Sequence, residues 1–198
     1  MNSTLISHDT LILASKSPRR RALLRQAGLS FTVVPSRIDE TALPKDTPKA
    51  YVAEAARAKA TDVSSLYPEN WVISADTVIV HAEHILGKPQ DKKEAHWMLS
   101  RLSSSVHTVF TGYYICCKAR AESFSGISET EVEFKQMTDG EIDWYIRTGE
   151  PFDKAGGYAI QGLGGALVKR ITGSYTNVVG LPLCEIVSYL MDQGVVRR

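Results

Sequence analysis

Residues 71–80, Trp-Val-Ile-Ser-Ala-Asp-Thr-Val-Ile-Val, place one carboxylate between two β-branched runs. A continuous apolar run of this length predicts a strand that is buried on both faces of a sheet. An ionised Asp76 in such a strand is costly unless it is ion-paired, hydrogen-bonded or bound to a metal. Two interpretations are open: Asp76 accepts backbone hydrogen bonds at a strand kink beside Thr77, or it is a functional carboxylate. The rest of the chain favours the second.

Composition excludes several classes of partner. The 198 residues carry a formal net charge of +1, so the chain lacks the bulk basic surface of a nucleic-acid-binding protein. Its longest apolar runs are far shorter than the roughly 18 residues of a membrane span, and residues 1–4 lack the basic segment of a secretory signal. The three cysteines, Cys116, Cys117 and Cys184, fit neither a disulfide framework nor a zinc pattern. We therefore expect a cytoplasmic protein with no membrane or nucleic-acid partner.

The chain opens with a strand, a tight loop and a helix. Leu11–Ala14 is apolar, Ser17 is a good N-cap, Pro18 suits the first helical position, and Gly28 suits the C-terminal cap. Arginines 19–21 then fall in the first turn, where the positive end of the helix dipole disfavours cations. A bound phosphate would offset these charges, because a helix N-terminus offers free N–H groups to anions. The alternative is an exposed basic helix end near a surface carboxylate.

Helices and strands alternate early in the chain, while the middle holds a hairpin, so the sequence predicts an α/β fold with a mixed sheet flanked by helices. The remaining predicted elements are a strand at 31–34, helices at 48–67 and 94–102, β-rich runs at 106–118 and 132–134 joined by a hairpin connection at 120–126, a helix from the capping box at 138–141, a strand at 166–168, a polar loop at 173–177 and a last helix with Leu183, Ile186, Val187 and Leu190 on one face. We expect one domain over residues 1–198, with residues 1–10 as a short N-terminal extension.

Two further segments have the composition of binding sites. Asp39 and Glu40 follow the second strand, and neighbouring carboxylates near a phosphate site suggest a divalent cation. Taken alone, this segment is explained better by a solvated acidic turn. Residues 153–165 contain five glycines around Gln161, which permits close backbone approach to a ligand. The alternative is a flexible loop.

Six motifs, taken together in order and spacing, resemble the Maf family. The resemblance covers about residues 11 to 191, and its motifs are Ser15-Lys16-Ser17-Pro18-Arg19-Arg20, Ile38-Asp39-Glu40-Thr41, Ala75-Asp76-Thr77, Lys88-Pro89, Phe152–Tyr158 with Ile160-Gln161-Gly162, and Gly173-Ser174-Tyr175 with Val179-Gly180-Leu181-Pro182. The family implies an elongated mixed α/β sheet with a cleft between two lobes, similar to the inosine triphosphatase fold. It also implies a nucleoside triphosphate pyrophosphatase, which releases a nucleoside monophosphate and pyrophosphate with the help of Mg²⁺ or Mn²⁺.

The resemblance assigns roles to individual residues. Asp76 matches the catalytic base that activates water for attack on the α-phosphorus, and Glu40 matches a carboxylate of the metal site. Arg19, Lys59 and Lys88 match cations around the phosphates. Ser15 and Ser17 lie in the same motif as Arg19 and match substrate-binding residues. Arg19, Thr77 and Gln161 mark the branch that prefers dTTP and UTP, with modified pyrimidine nucleotides as further candidates. The sequence departs from the common Gly-Ala-Asp-Thr motif in having Ser74.

A different class of function stays open at this point. The family was first linked to inhibition of septum formation, so a nucleotide-binding regulator of cell division without turnover is the alternative. Asp76 favours the enzyme, because a pure binder gains nothing from a carboxylate near phosphates. The sequence also leaves a homodimer open.

Overall fold

A computed structural model describes residues 6–7, 11–44 and 46–197. Residues 1–4, in which the sequence shows no secretory signal, lie outside the described residues, as does most of the predicted extension over residues 1–10. The strands, in chain order, are β1 Ile6–Ser7, β2 Leu11–Leu13, β3 Phe31–Val33, β4 Trp71–His81, β5 His84–Leu86, β6 Val106–Cys117, β7 Glu122–Phe134, β8 Val168–Thr172 and β9 Val196–Arg197. The helices are α1 Pro18–Gln26, α2 Pro48–Leu66, α3 Lys92–Leu102, α4 Asp139–Arg147, α5 Tyr175–Val179 and α6 Leu183–Asp192.

The main sheet is mixed, as the sequence predicts. Among the described residues it has seven strands in the order β3-β2-β4-β6-β7-β8, and β5 pairs with β4. Strand β2 runs parallel to both β3 and β4, whereas the β4–β5 and β7–β8 pairs are antiparallel. Strands β1 and β9 form a separate antiparallel pair. None of the helices in the described ranges has the length and apolar character to cross a membrane.

The chain divides into two compact units. The first unit contains Met1–Asp76, Thr111–Ser128 and Gly180–Arg198, and the second contains Thr77–Phe110 and Glu129–Val179. A core of the first unit packs residues of β2, α2, β4 and β6 together, among them Ile12, Ala60 and Val72. A core of the second unit includes Leu99 of α3, Phe134 of β7 and Tyr145 of α4.

Several local predictions are confirmed. The Ser17 hydroxyl accepts a hydrogen bond from the Arg20 N–H and caps α1, and Gly28, at φ +75°, ends it with a Schellman-type pattern in which Leu29 N–H donates to Leu24. The capping box of Thr138 and Glu141 begins α4. In α3, the four residues predicted to face the core are all buried: Ala95, Met98, Leu99 and Leu102.

Three predicted boundaries are wrong. The predicted connection at 120–126 is mostly strand, because β7 begins at Glu122 and its half-buried Phe124 stacks on Tyr189 with ring centroids 4.4 Å apart. The predicted strand at 166–168 is displaced to Val168–Thr172, whose exposed Lys169 pairs with Glu133. The predicted loop at 173–177 contains the start of α5, which the Ser174 hydroxyl caps by accepting from the Asn177 N–H.

His107 is a buried polar residue in the second unit, with a 2.7 Å hydrogen bond between its Nε2 and the Tyr158 hydroxyl. Burial, with a smaller contribution from His81, lowers the pKa of His107 from 6.5 to about 3. The unfolded chain therefore binds a proton between these two pH values that the folded chain does not. Stability that is complete above pH 6.5 must fall as the pH decreases through this window.

We expect this histidine to destabilise the protein by about 2 kcal/mol at pH 5 relative to pH 7. The measurement is urea unfolding across this pH range for the wild type and for His107→Gln, which cannot take up the proton. The variant should lose less stability on acidification. The exposed His84 provides the matched control, and His84→Gln should behave as the wild type. Equal acid sensitivity of the wild type and His107→Gln would contradict the expectation.

Candidate active site

The carboxyl end of β2 meets the middle of β4, which brings the first motifs together. Leu13, the last residue of β2, pairs with Ile73 of β4, so the loop after β2 begins beside residues 74–76 of β4. This register places the start of α1 beside the segment that carries Asp76. Ser74, the departure from the common family motif, is fully buried and donates a 2.6 Å hydrogen bond to the Ala56 carbonyl. It thereby fixes β4 to α2, the helix that carries Lys59.

Lys59 joins two carboxylates of the candidate site. Its Nζ lies 2.7 Å from Oδ1 of Asp76 and 3.0 Å from Oε1 of Glu40. Lys59 and Asp76 are buried, at 7% and 8% exposure, whereas about half of the Glu40 side chain is exposed. A lone lysine on a helix is usually solvated, and Lys59 is an exception because it is buried between two carboxylates. A strand kink is therefore not a sufficient explanation of Asp76, because its carboxylate belongs to a buried ion pair.

Asp39 and Glu40 have different surroundings despite being neighbours. Oδ1 of Asp39 accepts hydrogen bonds from the Thr41 N–H at 2.9 Å and the Thr41 hydroxyl at 2.6 Å, and these bonds lower the pKa of Asp39. Asp39 thus caps the short 3₁₀ turn over Glu40–Ala42. Glu40 alone reaches Lys59, so the acidic pair contributes one carboxylate to the site.

The three arginines of α1 also have different surroundings. Arg20 is buried: its Nε donates to the Gly180 carbonyl at 2.7 Å, and its Nη1 donates to the Ser15 hydroxyl at 3.2 Å. Burial lowers the pKa of Arg20, while the charge of Asp76 opposes that shift. Arg19 is half-buried in the first turn. The prediction that three cations require a bound anion there is therefore too broad, because Arg20 is anchored by the protein itself.

Ser15 and Ser17 both have structural partners. The Ser15 hydroxyl accepts from the Ser17 N–H at 3.2 Å as well as from Arg20, and the Ser17 hydroxyl caps α1. They shape the loop that precedes α1. Their predicted contacts with substrate stay predictions.

Tyr51 is influenced by the charges of this site, and the sequence interpretation missed it. Burial, followed by the negative charges of Asp76 and Glu40, raises the pKa of Tyr51 to about 12. Its hydroxyl therefore stays protonated at neutral pH. Tyr51 and Lys59 are eight residues apart on α2, which places them on one helix face. That spacing is the signal that could have identified Tyr51.

The remaining predicted residues lie in the second unit. Thr77 follows Asp76 on β4, and neighbouring strand residues point to opposite faces. Lys88 is exposed just after β5, where the preceding Gly87 carbonyl accepts a 2.9 Å hydrogen bond from the Gly156 N–H of the glycine-rich segment. Gln161 is half-buried within that segment.

Comparison with known proteins identifies the family. The family model described as Maf-like protein matches residues 10–193. The chain belongs to the Maf family. Proteins named dTTP/UTP pyrophosphatase from Syntrophus aciditrophicus and Halalkalibacterium halodurans are similar to it: the first is 45% identical over 94% of this chain and 91% of its own, the second 48% identical over 95% and 98%.

A further protein of that name, from Desulfotalea psychrophila, is 47% identical over 94% of this chain and 95% of its own. Among solved structures, a HAM1 protein from Coxiella burnetii matches 65% of this chain and 74% of its own at a TM-score of 0.44 and 15% identity. The family membership confirms the resemblance that the six motifs indicated.

Proposed function

We propose that this protein is a pyrophosphatase that hydrolyses dTTP and UTP to the nucleoside monophosphate and pyrophosphate. The observation that carries the proposal is the buried Asp76–Lys59 ion pair, with Glu40 on the same lysine, in a chain of the Maf family. The relatives named dTTP/UTP pyrophosphatase cover nearly the whole chain, which supports the same activity.

Asp76 is the base of the proposed reaction. Water attacks the α-phosphorus, the bond from that phosphorus to the α–β bridging oxygen breaks, and pyrophosphate leaves with that oxygen. Asp76 orients the water and takes its proton. Because Oδ1 accepts from Lys59, we assign this task to Oδ2.

Cationic and donor groups complete the reaction centre. Hydrolysis of a triphosphate depends on positioning and on stabilising charge in the transition state more than on a covalent nucleophile. Lys59 provides a buried positive charge beside the base, and Arg19 a second cation on the first turn of α1. The protonated Tyr51 hydroxyl adds a neutral donor. Lys88 stays a predicted phosphate-binding residue.

A divalent cation fits the donors that are present. Within the described residues, no group of three or more His, Cys, Asp or Glu side chains could hold a metal. Magnesium seldom has a full protein cage and usually shares its shell with waters and substrate phosphates, so one or two carboxylates suffice. Glu40, whose side chain is 47% exposed, would hold the ion. When bound, the metal neutralises phosphate charge.

Removal of the metal should abolish turnover. We expect pyrophosphate release from dTTP to stop in excess chelator and to return when Mg²⁺ or Mn²⁺ is added. Glu40→Gln should raise the metal concentration needed for half-maximal activity, because one anionic ligand is lost. Asp39 provides the matched control: Asp39→Asn should leave that concentration unchanged, since Asp39 bonds to Thr41. Full activity in chelator would exclude the metal.

Gln161 is the proposed reader of the base. Uracil and thymine present two carbonyl acceptors around one N3–H donor, whereas cytosine has an amine and an acceptor at those positions. An amide offers both a carbonyl and an NH₂ group, so it can pair with an acceptor–donor edge. None of the described residues forms a hydrogen bond with the Gln161 side chain, so its amide is available to a ligand.

A nucleotide panel tests the substrate assignment. We expect rapid hydrolysis of dTTP and UTP, slow hydrolysis of CTP because unpaired buried polar groups cost about 1–3 kcal/mol each, and slow hydrolysis of purine triphosphates because of their size. Gln161→Ala should reduce the UTP-over-CTP ratio of kcat/KM by roughly tenfold or more, and should affect dTTP turnover less. Wild-type hydrolysis of CTP or GTP as fast as UTP would refute the assignment. Modified pyrimidine triphosphates extend the same panel.

A further inference from the structure

The segment that carries Gln161 has little regular structure. Within residues 155–167 there are two short 3₁₀ turns, Ala155–Gly157 and Leu163–Leu167, and Gln161 lies between them. A side chain on such a segment is only as well placed as the backbone that carries it. The contacts of residues 159–164 therefore decide where the Gln161 amide is held.

Glu150 holds the segment on the C-terminal side of Gln161. Its Oε2 accepts a hydrogen bond from the Leu163 N–H at 3.1 Å, and its Oε1 accepts one from the Gly164 N–H at 3.0 Å. A carboxylate is a strong acceptor for backbone N–H groups, and two such bonds fix the direction of the chain. Glu150 itself lies on the turn Glu150–Asp153, which follows α4.

Tyr145 holds the segment on the N-terminal side. Its hydroxyl accepts a 3.2 Å hydrogen bond from the Ala159 N–H and donates a 2.8 Å bond to Oε1 of Glu150. The tyrosine is fully buried on α4, in the core of the second unit. One hydroxyl thus links the residue two places before Gln161 to the carboxylate that holds the residues after it.

The backbone of the segment fits closely against these two side chains. Gly162 has φ +83°, and a Cβ there would lie 2.9 Å from Oε2 of Glu150. A Cβ on Gly164 would lie 2.4 Å from the Ala159 carbonyl oxygen and 2.6 Å from the Tyr145 hydroxyl. A larger residue at either position would displace the segment from Tyr145 and Glu150. The glycines are therefore explained by close approach rather than by flexibility.

We propose that Tyr145 and Glu150 are positioning residues for base selection: they hold residues 159–164 so that the Gln161 amide presents a fixed hydrogen-bonding pattern to the base. The proposal rests on the proposed function, in which Gln161 reads uracil and thymine. Burial and the bond to Glu150 keep the pKa of Tyr145 well above its usual value, so its hydroxyl stays a donor at neutral pH.

The test is Tyr145→Phe, which keeps the buried ring and removes both hydrogen bonds of the hydroxyl. We expect the ratio of kcat/KM for UTP over CTP to fall by about three- to tenfold, the scale of one or two weakened hydrogen bonds. The KM for UTP should rise while kcat for UTP changes little, because the groups around Asp76 are untouched. Glu150→Gln, which retains one acceptor oxygen but turns an NH₂ group towards backbone donors, should act in the same direction.

Tyr158→Phe is the matched control. Tyr158 is also buried in this core, but its hydroxyl bonds to His107 and not to residues 159–164. Tyr158→Phe should lower the melting temperature, because it also removes a buried hydrogen bond, but it should not change the UTP-over-CTP ratio of kcat/KM. Amide hydrogen exchange at Ala159, Leu163 and Gly164 should accelerate in Tyr145→Phe and stay slow in Tyr158→Phe.

The double variant separates failure of this proposal from failure of the proposed function. If the pair acts through Gln161, Tyr145→Phe added to Gln161→Ala should cause no further loss of preference. If Gln161→Ala loses the preference and Tyr145→Phe keeps it, the positioning proposal is overturned while the assignment of Gln161 stands. If Gln161→Ala itself keeps the preference, the base-reading assignment fails, and the positioning proposal fails with it.

Discussion

Asp76→Asn is expected to lower the kcat for dTTP by about 10²–10⁴ while the protein still binds nucleotide. The substitution keeps the shape of the side chain and removes its basicity. The amide oxygen can still accept the hydrogen bond that Lys59 now donates to Oδ1, and Glu40 remains 3.0 Å from the same Nζ. The fold should therefore tolerate the change, and the loss should be in the chemical step.

Turnover is measured as pyrophosphate release at saturating dTTP, and binding as nucleotide affinity by calorimetry. Asp192→Asn, at the exposed end of α6, is the matched control and should have wild-type turnover. Near-wild-type turnover of Asp76→Asn would contradict the assignment of Asp76 as the general base. The same measurements address the alternative function, because a nucleotide-binding regulator would bind dTTP without releasing pyrophosphate in the wild type as well.

The parts of the fold that the sequence predicts well are those in which a local pattern determines a local structure. The β-branched residues on both sides of Asp76 predict β4, and the Ser17–Pro18 and Thr138–Glu141 signals begin α1 and α4 where they should. At the two helix starts, the side chain that caps the backbone lies three residues from the N–H group that it satisfies. Such contacts require no knowledge of the rest of the fold.

The prediction errors arise where a contact with a residue distant in the sequence determines the local structure. The start of β7 is polar in sequence. It nevertheless forms a strand, in which the ring of Phe124 stacks on that of Tyr189 from α6. From the helix sequence alone Lys59 resembles a solvated residue, whereas in the fold β4 places Asp76 beside it. Arg19 and Arg20 are adjacent and chemically identical, and the bonds of Arg20 to the Gly180 carbonyl and the Ser15 hydroxyl follow from the fold and not from the local sequence. No local pattern reports a contact across 160 residues of sequence.

The glycine-rich segment shows the same limit for the candidate site. Its composition fits a flexible loop as well as a binding segment. The difference is made by Glu150 and Tyr145, which the sequence does not mark as partners of residues 159–164. The family resemblance assigns a role to Gln161 but gives no physical reason for the placement of its side chain.

Lys59→Met is expected to reduce the free energy of unfolding by about 3 kcal/mol or more, because removal of one partner leaves a buried charge without compensation. Asp76, at 8% exposure, would lose the ammonium group 2.7 Å away. Turnover should fall as well, since the reaction centre would lose the cation that lies beside the base. An exposed ion pair provides the comparison: Lys169→Met, which breaks the bond to Glu133, should cost no more than about 1 kcal/mol.

A double-mutant cycle separates the ion pair from the packing of the lysine stem. In Asp76→Asn the buried carboxylate is already neutral, so Lys59→Met should cost much less in that background than in the wild type. Urea unfolding of the four proteins at one pH gives the coupling free energy, which we expect to be in the range of roughly 0.5–3 kcal/mol for groups in direct contact. An equal cost in both backgrounds would mean that Lys59 stabilises the protein through the packing of its methylene groups and not through the ion pair.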